Sequence, residues 1–232
     1  AGADYDETLL NPMGNANNYT TNKSMALNLG IYTTDMSFAS LFDQAQTTIN
    51  YMNSAKKMAD GLGILDAIDD NTVQRLEENI NNREVIMDII SETFMSSSSY
   101  LKENERAAIA TVVLVGGWIE GLYIATQLID DNNLENNELA QRVYEQKLSF
   151  DILQKLLQQH QNDADIQNLQ AQLEDLKNIF AQISIKSTEV VPEKNETTNV
   201  TTLKSELEIT ASPETFRELK NNVNTLRSNF IL

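Results

Sequence analysis

Between Ala107 and Ile129 the chain carries a single charge, Glu120. A run of about 23 residues this apolar has to be covered along its whole length, by lipid or by other helices. The lone carboxylate at its middle, Gln127 near its end and the lack of a basic cluster at its flanks favour cover by protein. The reading is therefore a buried core helix and no transmembrane helix. A helix hidden on every side needs several partners, which makes a bundle the natural architecture.

The partners are visible as three-four spacing of apolar residues. Phe38, Leu41, Ala45, Ile49, Met52 and Ala59 predict a helix over 34–60, stopped by Gly61 and Gly63. A weaker pattern precedes it, with Gly30 as its end or a kink. Val85, Ile86, Ile89, Ile90, Phe94 and Met95 predict a helix over 82–101, weakened at its end by Ser96 to Ser99. Val143, Tyr144, Leu148, Ile152, Leu153 and Leu157 predict another over 139–160. Ile166, Leu169, Leu173, Leu176, Phe180 and Ile183 form a heptad seam, read as antiparallel packing or, alternatively, as a coiled-coil dimer contact. Ser212-Pro213-Glu214 is a strong helix start, and Phe216, Leu219, Val223, Leu226 and Phe230 follow it. Eight glycines and three prolines in 232 residues fit long helices with short connections. The expectation is an all-α bundle of about six or seven helices in one domain, 21–232. Residues 1–20, polar and Asn-rich, read as a flexible arm, and 186–204 as a mobile loop before the docked C-terminal helix.

Charge and residue types exclude several functions. With 17 basic and 34 acidic residues the net charge is −17. No basic stripe exists to meet a phosphate backbone, so a nucleic-acid partner is rejected. There is no cysteine and one histidine, His160, which removes thiolate chemistry and the zinc and di-iron sites built on several histidines. No metal and no cofactor is expected. The acidic loops at 66–71 and 130–135 lack the glycine and the final glutamate of a calcium-binding loop. Phosphate-loop, nucleophile-elbow and zinc-protease motifs are missing, which weighs against an enzyme.

Glu120 is the leading candidate for a site. Three glycines share its helix, Gly116, Gly117 and Gly121, each costing about 1 kcal/mol relative to alanine. Close helix approach or a small cavity would compensate. A buried carboxylate needs a partner, and Lys56, Arg83, Arg142 and Arg227 all qualify by type. A structural ion pair is the plain reading. In the functional one, Asp35 joins Glu120 as a second carboxylate, Tyr32 and Tyr123 supply hydroxyls and Trp118 an aromatic wall. Asp35 alone also reads as a helix-capping or first-turn acid, Trp118 as core, and His160 as a cation near a helix C-terminus.

The run Leu29-Gly30-Ile31-Tyr32-Thr33-Thr34-Asp35-Met36-Ser37-Phe38-Ala39, with Gln44, Tyr51-Met52, Ala59 to Ile64 and Glu214 to Ile231, resembles a group of exported all-helical lipoproteins of Gram-negative bacteria. The resemblance implies a periplasmic or cell-surface location and a lipid-bearing cysteine just before residue 1. It implies no activity. The function expected is thus a non-enzymatic binding or scaffold protein of the envelope, a monomer whose partner is an unidentified protein or small molecule. The alternative is a small-molecule binder or hydrolase built on Glu120 and Asp35.

Overall fold

A computed structural model describes residues 4–65, 70–135, 137–188, 191–195, 200–204 and 207–232. Nine α-helices occur among these residues: α1 (Asn22–Leu41), α2 (Ala45–Gly61), α3 (Asp70–Glu78), α4 (Arg83–Glu103), α5 (Ala107–Gln127), α6 (Glu138–Gln159), α7 (Ala164–Gln172), α8 (Glu174–Ala181) and α9 (Pro213–Ile231). They form a helical bundle with α9 packed against it. Asparagine, aspartate, serine and threonine start many of them. Thr21 and Ser24 form a reciprocal capping box on α1, and Asn82, Asn137, Asp163 and Ser212 each accept an N–H from the first turn that follows.

The apolar α5 is the central helix, with α1, α4, α6 and α9 packed around it. By length and composition alone it could cross a membrane. The approach of α1 to α5 is very close, and glycine permits it. A Cβ on Gly116 would lie 2.0 Å from the Leu27 carbonyl oxygen, and one on Gly30 would lie 2.1 Å from that of Val113. Gly30 therefore does not end a helix; α1 continues through it to Leu41.

Other boundaries also differ from the sequence reading. The helix expected over 34–60 is two, because the chain turns at 42–44, where Asp43 takes φ 58°. Ser96 to Ser99 do not weaken α4, which continues to Glu103. On α6, Leu148 and Ile152 face solvent rather than the core. The heptad seam is split at Leu173 between α7 and α8, yet Ile166, Leu169, Leu173, Leu176, Phe180 and Ile183 are all buried inside this one chain. No part of it is left to pair with a second copy.

Two further expectations need correction. Residues 4–20 are not a free arm. Leu10, Asn11, Ala16 and Tyr19 are buried, and Tyr5 stacks on Phe38 with ring centroids 5.6 Å apart. The polarity that suggested disorder serves hydrogen bonds to the interior. Within 186–204, the described residues other than Thr188 pair as strands. The strands β1 (Ser184–Ser187) and β4 (Leu207–Thr210) form one antiparallel ladder, β2 (Val191–Asn195) and β3 (Val200–Lys204) another. Ile185 and Ile209 face each other across the first ladder and pack against the core. Val and Thr in β3 favour extended backbone. Residues 189–190 and 196–199 of this segment, and 66–69 of the first acidic loop, lie outside the described residues. In the second acidic loop, Asp131 pairs with Lys220 of α9 at 2.8 Å.

Candidate functional site

Two places carry unusual chemistry, and they are different places. The first is a sealed polar centre where α1, α5, α9 and the N-terminal segment meet. Glu120 on α5 has no exposed surface. Its partner is Arg227 of α9: Nε donates to Oε2 at 3.1 Å and Nη2 to Oε1 at 3.1 Å. Nη2 also donates to the Leu9 carbonyl at 3.0 Å, and the guanidinium sits 4.6 Å from the centre of the Tyr123 ring. A planar fork that forms two bonds to one carboxylate and stacks on an aromatic ring suits arginine and not lysine.

Asp35 completes the centre. It lies within α1, fully buried, so the helix-capping reading is wrong for it. Oδ2 accepts the Asn11 backbone N–H at 3.1 Å. Oδ1 is buried and meets no N–H or O–H donor among the described residues. The side chain reaches Glu120 instead. Two touching carboxyl groups with one guanidinium would leave an uncompensated buried charge if both were ionised. Burial first, and then the Glu120 charge, push the Asp35 carboxyl well above the usual carboxylate range. Asp35 is thus the proton-bearing member, donating to Glu120. Burial raises Glu120 too, but Arg227 opposes that shift, and Glu120 stays the anion of the pair.

Around these groups the N-terminal segment is stitched down. The Asn11 side chain donates to the Tyr19 hydroxyl and to Asn28 Oδ1, both at 3.0 Å. Asn28 Nδ2 donates to the Phe230 carbonyl at 2.8 Å, and the Tyr19 hydroxyl to that of Ile231 at 3.1 Å. The Tyr32 hydroxyl donates to the Pro12 carbonyl at 3.2 Å, and burial raises its pKa. Asp35, Glu120, Tyr32 and Tyr123 are brought together, but behind a cover of backbone that keeps substrate and water from the carboxylates.

The second place is a half-open groove of about 510 Å³ between α1, α2, α4 and α5, with Thr72 and Leu76 of α3 on its wall. Its floor is the glycine contact of α1 with α5, at Gly30 and Gly117. Met52, Ile64, Ile90, Phe94 and Leu114 supply apolar surface. Among the described residues, four of the seven hydroxyl side chains on the wall donate to backbone carbonyls. Thr33, Ser91 and Thr93 donate to the carbonyls four residues back, and Thr34 to Gly117 across the α1–α5 contact. The wall therefore offers mainly methyl and methylene groups. Arg75 of α3 and Glu92 of α4 pair at 3.0 Å and tie two of the surrounding helices together.

Of the five residues singled out from sequence, only Trp118 lines this groove. Its ring also packs on Phe150 and Phe180, at 5.5 and 6.1 Å, so it is a core residue with one side on the groove. His160 ends α6 as expected. Sequence reading missed Asn11 and Tyr19 because they lie in polar surroundings that look like surface, and Asn28 because a single amide inside an apolar helix does not show what it bonds. It missed the groove because a groove wall and a core face have the same apolar spacing. Among the described residues no group of three His, Asp or Glu side chains is placed to hold a metal ion.

The fold and its two special places define an all-α bundle with a latched polar centre and an apolar groove. Comparison with known protein families, with curated proteins and with solved structures finds no match for this chain.

Proposed function

We propose that this is a non-enzymatic binding protein whose α1–α2–α4–α5 groove takes up a small apolar molecule. One observation carries the reading: a half-open cleft of about 510 Å³ with a mainly apolar wall on which Thr33, Thr34, Ser91 and Thr93 already donate to backbone carbonyls. Sites for small molecules typically measure roughly 300–1,000 Å³ and are lined mainly by apolar side chains. The same observation speaks against chemistry in the groove, whose wall carries no carboxylate or histidine among the described residues. The Asp35–Glu120–Arg227 centre is then structural, holding the N-terminal segment and α9 to the bundle. A place in the bacterial envelope, with a lipid anchor ahead of residue 1, is proposed on the lipoprotein resemblance alone.

Titration with a solvatochromic apolar dye tests the groove. The dye is expected to brighten and to be displaced by long-chain alcohols. Ala110 lines the groove and is only half-buried. Ala110→Phe should weaken the dye at least tenfold while leaving the unliganded melting temperature nearly unchanged. Unaltered binding by that variant would place the dye elsewhere and end the reading.

A further inference from the structure

Among the described residues the groove has one charge, and its sign is unexpected. Acids outnumber bases two to one in this chain, 34 to 17, yet among the described residues the groove's wall holds no acid and a single base, Lys56 of α2. Lys56 is exposed, next to Ala55 and one helical turn from Met52, which both line the groove. It has no ion-pair or hydrogen-bond partner among the described residues. The neighbouring lysine is engaged elsewhere, donating to Asn17. The groove is thus an apolar trough with an unpaired ammonium where it meets solvent.

We propose that the ligand is a single-chain aliphatic carboxylate, its chain along the apolar wall and its carboxylate on Lys56. This rests on the groove being a binding site, as proposed above. An uncharged ligand would leave the ammonium unused, and a cationic one would be repelled by it. The surplus of acidic residues repels anions at long range, but that field is screened over roughly 8 Å at physiological salt, whereas the Lys56 contact is direct. The groove's half-open form suits such a molecule, since a carboxylate has to remain near water while its chain is buried. Trp118, the only tryptophan, reports directly on occupancy.

A bromine on an aliphatic chain quenches a tryptophan that it touches, so a bromododecanoate and the matching bromododecanol are the probes. Both are expected to quench Trp118, the acid binding roughly threefold to fivefold tighter at low salt. Lys56→Gln should abolish that difference and leave the alcohol's affinity as it was. Raising the salt concentration should do the same. Equal affinities in the wild type, or a preference for the acid that survives Lys56→Gln, would overturn the carboxylate proposal and leave the groove reading standing. If neither probe quenches Trp118, the groove reading fails and the carboxylate falls with it.

Discussion

Gly116 and Gly121 sit five residues apart on one helix and do opposite things. A Cβ at 116 would strike a backbone oxygen of Leu27 at 2.0 Å, and backbone cannot swing aside. At 121 the nearest atom is Thr34 Cγ2 at 3.8 Å, an ordinary contact. Gly116→Ala should therefore force α1 from α5, and overpacking of about 1–3 kcal/mol or more outweighs the helix-propensity gain of about 1 kcal/mol. Gly121→Ala should keep that gain and move the urea midpoint upward. The two variants, compared by urea unfolding, should shift in opposite directions; shifts of the same sign would remove close approach as the reason for Gly116. At this scale Glu120 was conspicuous in the sequence as the only charge in its helix. Its partner was not: four cations qualified by type, and only packing of α9 on α5 selects Arg227.

Among the elements, the N-terminal segment departs most from its sequence. Polar composition suggested a free arm, but three of its backbone groups close bonds to buried side chains: Leu9 to Arg227, Asn11 to Asp35, Pro12 to Tyr32. Deleting residues 1–19 would strip acceptors and donors from buried groups, at about 1–3 kcal/mol for each one left unpaired. It would also expose the apolar surface beneath Leu10 and Tyr19. The expected outcome is a loss on the order of 5 kcal/mol, comparable with the whole stability of many domains. Asn11→Ala, which keeps the backbone and removes the side-chain bonds to Tyr19 and Asn28, should lose only about 1–3 kcal/mol. Thermal melts of both variants check this, and a deletion that melts like the full chain would show the segment to be ornamental. Elements with an apolar face were legible, and the weak alternation over 203–210 agrees with β4; the segment at 4–20 and strands β1 and β2 were not legible, because hydrogen bonding rather than periodic burial places them.

For the whole molecule the polar centre makes stability depend on pH. The Asp35 carboxyl is held neutral in the fold and ionises near the ordinary value when unfolded. Its contribution is thus complete below about pH 4 and declines as pH rises toward the folded value, by up to about 1.4 kcal/mol per pH unit. The charges facing it are Glu120 from α5 and Arg227 from α9; Tyr5, Tyr32 and Tyr51 are neutral neighbours. In Asp35→Asn an amide donates to Glu120 where the acid did and titrates nowhere. The stability of Asp35→Asn relative to the wild type should therefore increase between pH 5 and pH 8, the carboxylates away from this centre cancelling in the difference. Parallel profiles in urea would mean that Asp35 is ionised in the folded protein.

The sequence by itself determined the helical class, the central place of α5 and the docking of α9, because apolar spacing and capping residues act locally and repeat along the chain. The tertiary structure alone decided which cation meets Glu120, that Asp35 shares its proton with it, that the polar first segment is built into the interior, and where an open apolar wall remains. These depend on residues such as Leu9, Asn11, Glu120 and Arg227, as many as 218 positions apart, meeting in space. Hydrogen bonds and cavities leave no period in a sequence, since they are properties of the gaps between elements and not of any one element.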